Sequence, residues 1–249
     1  WQNIPFCVDA LMKIAPQQVL DVGVGFGRWG MIVREFCDVL YGRIFPSQWS
    51  VNVEGIEAFA KNISDYHSAF YNKIHIGDAR KVIFSLTDPW DVVIFGDVLE
   101  HFERETAEAI LNWCLDHSSY VMVNIPLGLE WPQQEMYDNP YERHLSHWVE
   151  QDLEKFGLCR KSLYTDYIDR PFGSFIMSRR LPPRSRPMRW ASSTIRAAKR
   201  CRSLPTGTSR LCFSYCQRKK RAANFSSCCR MKPMAYPDLE EVVFFFWGS

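Results

Sequence analysis

Val19-Leu20-Asp21-Val22-Gly23-Val24-Gly25-Phe26-Gly27-Arg28-Trp29-Gly30 runs from a short apolar strand pattern, through glycines at alternate positions, into a helical pattern. Glycines in such a turn let the backbone reverse tightly and let a ligand approach where a Cβ would clash. The helix that follows offers unpaired N–H groups. The stretch reads as a nucleotide-type site at the end of a strand.

Outward from this turn, apolar runs of strand length recur at 18–22, 51–56, 73–76, 91–95, 120–125 and 174–178, rich in Val and Ile and bounded by Gly, Asp, Asn or Pro. Helix-period segments lie between them at 28–40, 59–69, 104–117 and 150–156, the last closed by Gly157. Strands that are apolar on both faces and separated by helices predict βαβ units. The expected fold is α/β, an open, doubly wound, mostly parallel sheet covered on both sides.

The 249 residues are 47% hydrophobic, 14% aromatic and 23% charged, the composition of a soluble globular protein, which excludes collagen-like, mucin-like and wholly disordered chains. No apolar run approaches the roughly 20 residues needed to span a bilayer. The sequence begins at Trp1 with no basic and then apolar leader, so its true start is expected upstream. A net charge of +2 conceals an asymmetry: residues 181–249 hold 14 Lys/Arg and 3 Asp/Glu, residues 1–180 hold 16 and 25. Cys7, Cys37, Cys114 and Cys159 are scattered singly, and the other five of nine cysteines cluster from Cys201 to Cys229. An odd, irregular set fits reduced thiols and a cytoplasmic setting better than a disulfide framework. The expected division is a domain at 1–180 and a basic tail at 181–249, the tail largely disordered because its like charge and low hydrophobic content leave too little burial to offset chain entropy.

Asp21 before the glycines gives D-x-G-x-G-x-G, and further motifs follow in order: Gly55-Ile56-Glu57 ending the second strand, Gly77-Asp78-Ala79 after the third, and Trp90-Asp91-Val-Val-Ile-Phe-Gly-Asp97-Val-Leu-Glu100-His101 along the fourth. In this series residues 5–180 resemble the class I S-adenosylmethionine-dependent methyltransferases. The resemblance implies a seven-stranded Rossmann-like sheet, S-adenosylmethionine as cofactor, and a site in which Asp21, Gly23, Gly25 and Gly27 wrap the methionine portion. It further implies that Glu57 accepts from the ribose hydroxyls, Asp78 and Ala79 meet the adenine, and Asp97 lies between cofactor and acceptor. Gly25-Phe-Gly27-Arg-Trp-Gly30 also satisfies G-x-G-x-x-G, so a dinucleotide oxidoreductase is the rival on that motif alone. Taken singly, Asp21 could cap the turn, Glu57 the next helix, and Asp78 an Asx-turn; their joint spacing favours the site. Phe26 and Trp29 read as packing residues, and Arg28 as a solvated helix charge. The long gap from Asp21 to Glu57 is assigned to an extended crossover around 41–49.

Methyl transfer to a hydroxyl needs a proton acceptor, and His101, just past the fourth strand, is the first candidate; packing beneath the cofactor is its bland alternative. After the fifth strand, Asn124–Trp148 is long, polar and aromatic, and is expected to form an acceptor lid. Glu142, His144 and Tyr137 are its candidates for orienting hydroxyls, and Trp131, Tyr141 and Trp148 for stacking on a sugar or planar ring, with anchoring of the loop as the plainer role. The expected acceptor is a small molecule or glycan. Asp97-x-x-Glu100-His101 with His144 resembles a two-acid, two-histidine pattern by which some methyltransferases hold a divalent ion, although the first acid there is Glu. No metal ligand is assigned, and a divalent metal stays the minority reading. The basic tail, with Arg218-Lys219-Lys220-Arg221 and Trp190, Phe213 and Tyr215, could bind phosphate backbones, which would make an RNA methyltransferase; a solvated tail is the simpler reading. A cofactor-binding module without catalysis is the rival from another class.

Overall fold

The computed structural model describes residues 2–129, 132–166 and 169–179. The whole tail 181–249 and Trp131 lie outside the described residues. Seven strands form one sheet: β1 (Gln18–Val22), β2 (Asn52–Glu57), β3 (Lys73–Ile76), β4 (Trp90–Gly96), β5 (Ser118–Pro126), β6 (Leu158–Thr165) and β7 (Pro171–Met177), in the order β3-β2-β1-β4-β5-β7-β6. The first five run parallel, and β7 enters antiparallel between β5 and β6. Helices α1 (Asn3–Ile14), α2 (Arg28–Val33), α3 (Ala79–Val82), α4 (Arg104–His117) and α5 (Glu150–Glu154) complete the layers.

Period-two alternation along the strands builds two cores. Val19, Val92, Ile94 and Met122 face Cys7 and Leu11 of α1 and Trp29 and Val33 of α2, all buried. Leu20, Val93, Phe95 and Val123 face Ile110, Leu111 and Cys114 of α4 and Leu153 of α5. Both faces of the sheet are covered, as the uninterrupted apolar runs require. Strand order reverses at β1, with β2 on one side and β4 on the other, and Asp21 lies level with Gly55 of β2 and Ile94 of β4. The carboxyl ends of these three strands therefore open onto one crevice, where α/β sheets bind ligands.

Several elements differ from the sequence expectation. The expected helix at 59–69 is two short 3₁₀ turns, Ala60–Asn62 and Asp65–Ala69. Side chains there compete with the helical ladder: the Phe59 amide donates to Glu57 Oε1 at 2.8 Å, and the Ser64 amide to His67 Nδ1 at 3.1 Å. The segment 28–40 is helical, but α2 widens into a π turn at Arg34–Asp38 and tightens into a 3₁₀ turn at Val39–Tyr41. The widening coincides with a buried ion pair, Arg34 to Asp38 at 2.9 Å, whose guanidinium also donates to the Phe70 carbonyl. Three elements went unread, α1, the one-turn α3 and β6. The last, Leu-Cys-Arg-Lys-Ser-Leu-Tyr-Thr, is a polar edge strand with no apolar run. Among the described residues, all four cysteines are free thiols, and no helix is long and apolar enough to cross a membrane.

Candidate active site

The crevice holds a cavity of about 1200 Å³ floored by Gly23, Gly25 and Gly27 and walled by Glu57, Asp78, Ala79, Asp97 and His101. The glycine turn hangs from the sheet edge: the Gly23 and Val24 amides donate to the Ile56 carbonyl at 2.9 and 3.2 Å. All three glycines have positive φ. At Gly25, φ is 52° and a Cβ would meet nothing nearer than the Gly23 carbonyl at 4.0 Å, so this position is strained for a side chain and open to a ligand.

Glu57, only 6% exposed, joins the turn to β2. Its Oε2 accepts from the Gly25 amide and its Oε1 from the Phe59 amide, both at 2.8 Å, while Asn62 Nδ2 lies 3.4 Å from Oε1. A carboxylate offers about four acceptor sites, so one remains for a ligand donor. Asp78 caps α3, accepting from the Arg80 amide at 2.9 Å, and the paired Arg80 guanidinium holds its carboxyl below the usual range. The capping role of Asp78 and its place in the cavity wall thus coexist, whereas Glu57 caps no helix, the expected helix at 59–69 being absent.

Asp21 sits beneath the turn rather than in the cavity wall. It is fully buried, its Oδ2 accepts from the Tyr71 hydroxyl at 2.5 Å, and its Oδ1 has no partner among the described residues. Burial pushes its pKa up to about 8, the Tyr71 hydrogen bond opposing and the Glu57 charge adding. The folded state therefore binds this proton more tightly than the unfolded chain, whose Asp titrates near 4, and stability falls as pH rises between the two values. Unfolding free energies from denaturant titrations at pH 6, 7 and 8 are expected to fall more steeply in the parent than in Asp21→Asn by on the order of 1 kcal/mol per pH unit, the remaining slope belonging to other buried carboxyls. Parallel slopes would reject this role.

A second cavity, of about 630 Å³, adjoins the first and is lined by Asn3, Gln133, His144, Tyr164 and Arg170, among others. Asp97, His101 and Glu142 line both cavities. Asp97 follows β4 with φ 62°, and its carboxylate lies 3.7 Å from Arg28. Burial raises Asp97, opposed by Arg28; it raises the neighbouring Glu100 further, helped by the Asp97 charge, and also raises Glu142. His101 closes a 3₁₀ turn, its Nδ1 lies 3.2 Å from the Arg143 carbonyl, and burial lowers its pKa. The Arg143 carbonyl can only accept, so Nδ1 carries the proton in that contact, and backbone hydrogen bonds to Arg143, Asp97 and Glu142 oppose the effect of burial. The His144 ring lies edge-on to His101, centroids 5.0 Å apart. Glu100, His101 and His144 can bring one ligand atom each within 4.8 Å of one another, and Glu100 Oε2 is buried without a partner among the described residues. Asp97 is not part of that group.

The lid segment contributes Glu135, Asn139–Arg143 and Leu145 to the larger cavity. Tyr141 is among them, whereas Tyr137 is 81% exposed and lines neither cavity. Trp148 is fully buried, its Nε1 donating to Ser146 Oγ at 2.9 Å and its ring covered by Arg104, so it anchors the lid and stacks on no ligand. Trp29 packs in the core as expected; Phe26 instead lies exposed at the cavity rim, and Arg28 lines the cavity. Sequence reasoning missed Asn3, whose buried Oδ1, in the smaller cavity wall, has no partner among the described residues, and Tyr71 and His67 behind the turn. Only recognition of α1 could have pointed to the first.

This strand order, with its glycine turn after β1 and acidic β2 end, is the fold of the class I S-adenosylmethionine-dependent methyltransferases. No family model matches the sequence, and no curated protein matches it. Among solved structures, TehB from Haemophilus influenzae is similar with a TM-score of 0.51 and 14% identity, over 72% of this chain and 62% of that one. The chain thus spans less than two thirds of TehB. The N-terminal domain of EvdMO1 with SAH bound is similar with a TM-score of 0.50 and 15% identity, over 72% of this chain and 82% of that one. Identities this low establish the fold.

Proposed function

We propose that residues 1–180 form an S-adenosylmethionine-dependent methyltransferase that methylates a hydroxyl of a small polyhydroxylated molecule or glycan. The observation that carries this reading is the pair of adjoining cavities whose common wall is Asp97, His101 and Glu142. The cofactor supplies the activated methyl group, and the protein supplies alignment of an in-line displacement, an effect worth up to roughly 7–11 kcal/mol. In the larger cavity the glycine turn receives the methionine portion, Glu57 accepts from the ribose, and Asp78 and Ala79 meet the adenine. The smaller cavity, with Asn3, Gln133, Tyr164, Thr165 and Arg170 in its wall, suits an acceptor rich in hydroxyls. His101 would take the proton of the acceptor hydroxyl, and Glu142 and His144 would orient that hydroxyl, the cofactor leaving as the neutral thioether once its methyl–sulfur bond is broken.

Methyl transfer from labelled donor to a library of sugars, glycosides and phenols tests the reading; S-adenosylhomocysteine binding without product in any arm would leave a non-catalytic module. With an acceptor in hand, His101→Ala is expected to lower turnover by about 10²- to 10⁴-fold while S-adenosylhomocysteine affinity stays at the parent value. Wild-type turnover in that variant would reject His101 as the base.

The gathering of Glu100, His101 and His144 favours a second reading, in which the three hold a divalent cation of the zinc or manganese class. Such a cation would act as a Lewis acid on the acceptor hydroxyl. Chelator-treated protein is then expected to lose turnover and regain it with Mn²⁺ or Zn²⁺; unchanged turnover removes this reading.

A further inference from the structure

We infer that His67 and Tyr71 are positioning residues that hold the glycine turn in its cofactor-binding shape, an inference that rests on the cofactor reading above. The turn is closed from within by the Gly27 amide donating to the Val24 carbonyl at 2.8 Å, but three residues in five have positive φ and its tip at Gly25 has open space on one side. Two rings from the chain before β3 fill the other side. His67, 1% exposed, places Nε2 3.0 Å from the Gly25 carbonyl, while its Nδ1 lies 3.1 Å from the Ser64 amide. The Gly25 carbonyl can only accept, so Nε2–H donates to it, while Nδ1 lies 3.1 Å from both the Ser64 amide and the Ser64 carbonyl. Tyr71, 5% exposed, accepts from the Gly30 amide at 3.1 Å and donates to Asp21 Oδ2 at 2.5 Å, tying the first turn of α2 to the end of β1.

The glycines themselves point the same way. A Cβ on Gly27 would stand 3.2 Å from the His67 ring, and one on Gly30 would stand 2.5 Å from the Tyr71 ring. These two glycines make room for the braces behind the turn, whereas Gly25 alone faces open space. With its carbonyl held by His67 and its amide by Glu57, Gly25 is fixed at both ends of the residue, and the cofactor meets a turn that is already ordered.

Calorimetry with S-adenosylhomocysteine, with thermal unfolding of the ligand-free protein alongside, separates positioning from mere support. His67→Phe and Tyr71→Phe keep the rings and lose the hydrogen bonds; each is expected to weaken S-adenosylhomocysteine about tenfold at temperatures where the protein is folded. His67→Gln, whose amide N–H can reach the same carbonyl, is expected to recover most of that affinity whatever its unfolding midpoint. Parent affinity in both Phe variants, or a Gln variant as weak as His67→Phe, overturns the inference. Amide hydrogen exchange at Gly27 and Gly30 gives a readout independent of ligand: faster exchange in the Phe variants supports the brace, and unchanged protection overturns it. A parent protein that binds no S-adenosylhomocysteine would refute the cofactor assignment, and exchange would still decide the role of the two rings.

Discussion

Alanine in place of Glu57 is expected to weaken S-adenosylhomocysteine binding by about 30- to 1000-fold, the equivalent of about 2–4 kcal/mol for two charge-assisted hydrogen bonds. The loss has two sources. The proposed ribose contact would lose its carboxylate acceptor, and the Gly25 amide, bonded to Glu57 Oε2 in the parent, loses the partner that fixes the turn. Glu57→Gln keeps the shape and one acceptor oxygen and should fall between parent and Glu57→Ala. Equal calorimetric affinity in parent and alanine variant would remove Glu57 from the site.

The second large effect is on stability. A Cβ on Gly96, the last residue of β4, would stand 1.9 Å from Trp29 Nε1 and 2.9 Å from two further ring atoms. Trp29 is 3% exposed and packed in the core formed by α1, α2 and the sheet, so the indole can yield only by shifting toward the larger cavity, which it also lines. Gly96→Ala is expected to cost about 3 kcal/mol, the upper part of the range for overpacking, which lowers the thermal midpoint by about 6–12 °C in a domain of this size. It should also disturb Asp97, the next residue. A midpoint within about 2 °C of the parent would show that the indole yields, contrary to its burial.

The residues that carry these effects were legible to different degrees. The central parallel strands announced themselves because burial on both faces demands apolar runs, the edge strand β3 showed only through Ile74 and Ile76, and the order of the motifs followed from strands ending at one edge. The edge strand β6 did not, because half of its surface is solvated and Arg160 and Lys161 break the pattern. The segment 59–69 has helical spacing, yet Glu57 and His67 take backbone amides that a helix would need. Gly96 looked like the end of a strand; that it accommodates Trp29 across 67 residues of chain depends on how α2 packs over β4, which no local pattern encodes. The same holds for the shared wall of the two cavities: His101 and Glu142 were separately conspicuous, but their meeting with Asp97 required the lid to fold back over the β4 end. Tyr71 carried no signal, being an aromatic residue before a strand like many that simply pack.

Helix α1 has a practical corollary. Gln2 and Asn3, at its first turn, belong to the wall of the smaller cavity. A preparation cut and tagged directly ahead of Gln2 would place foreign chain beside that wall, and it should be compared with longer or cleaved material before an absence of turnover is taken at face value.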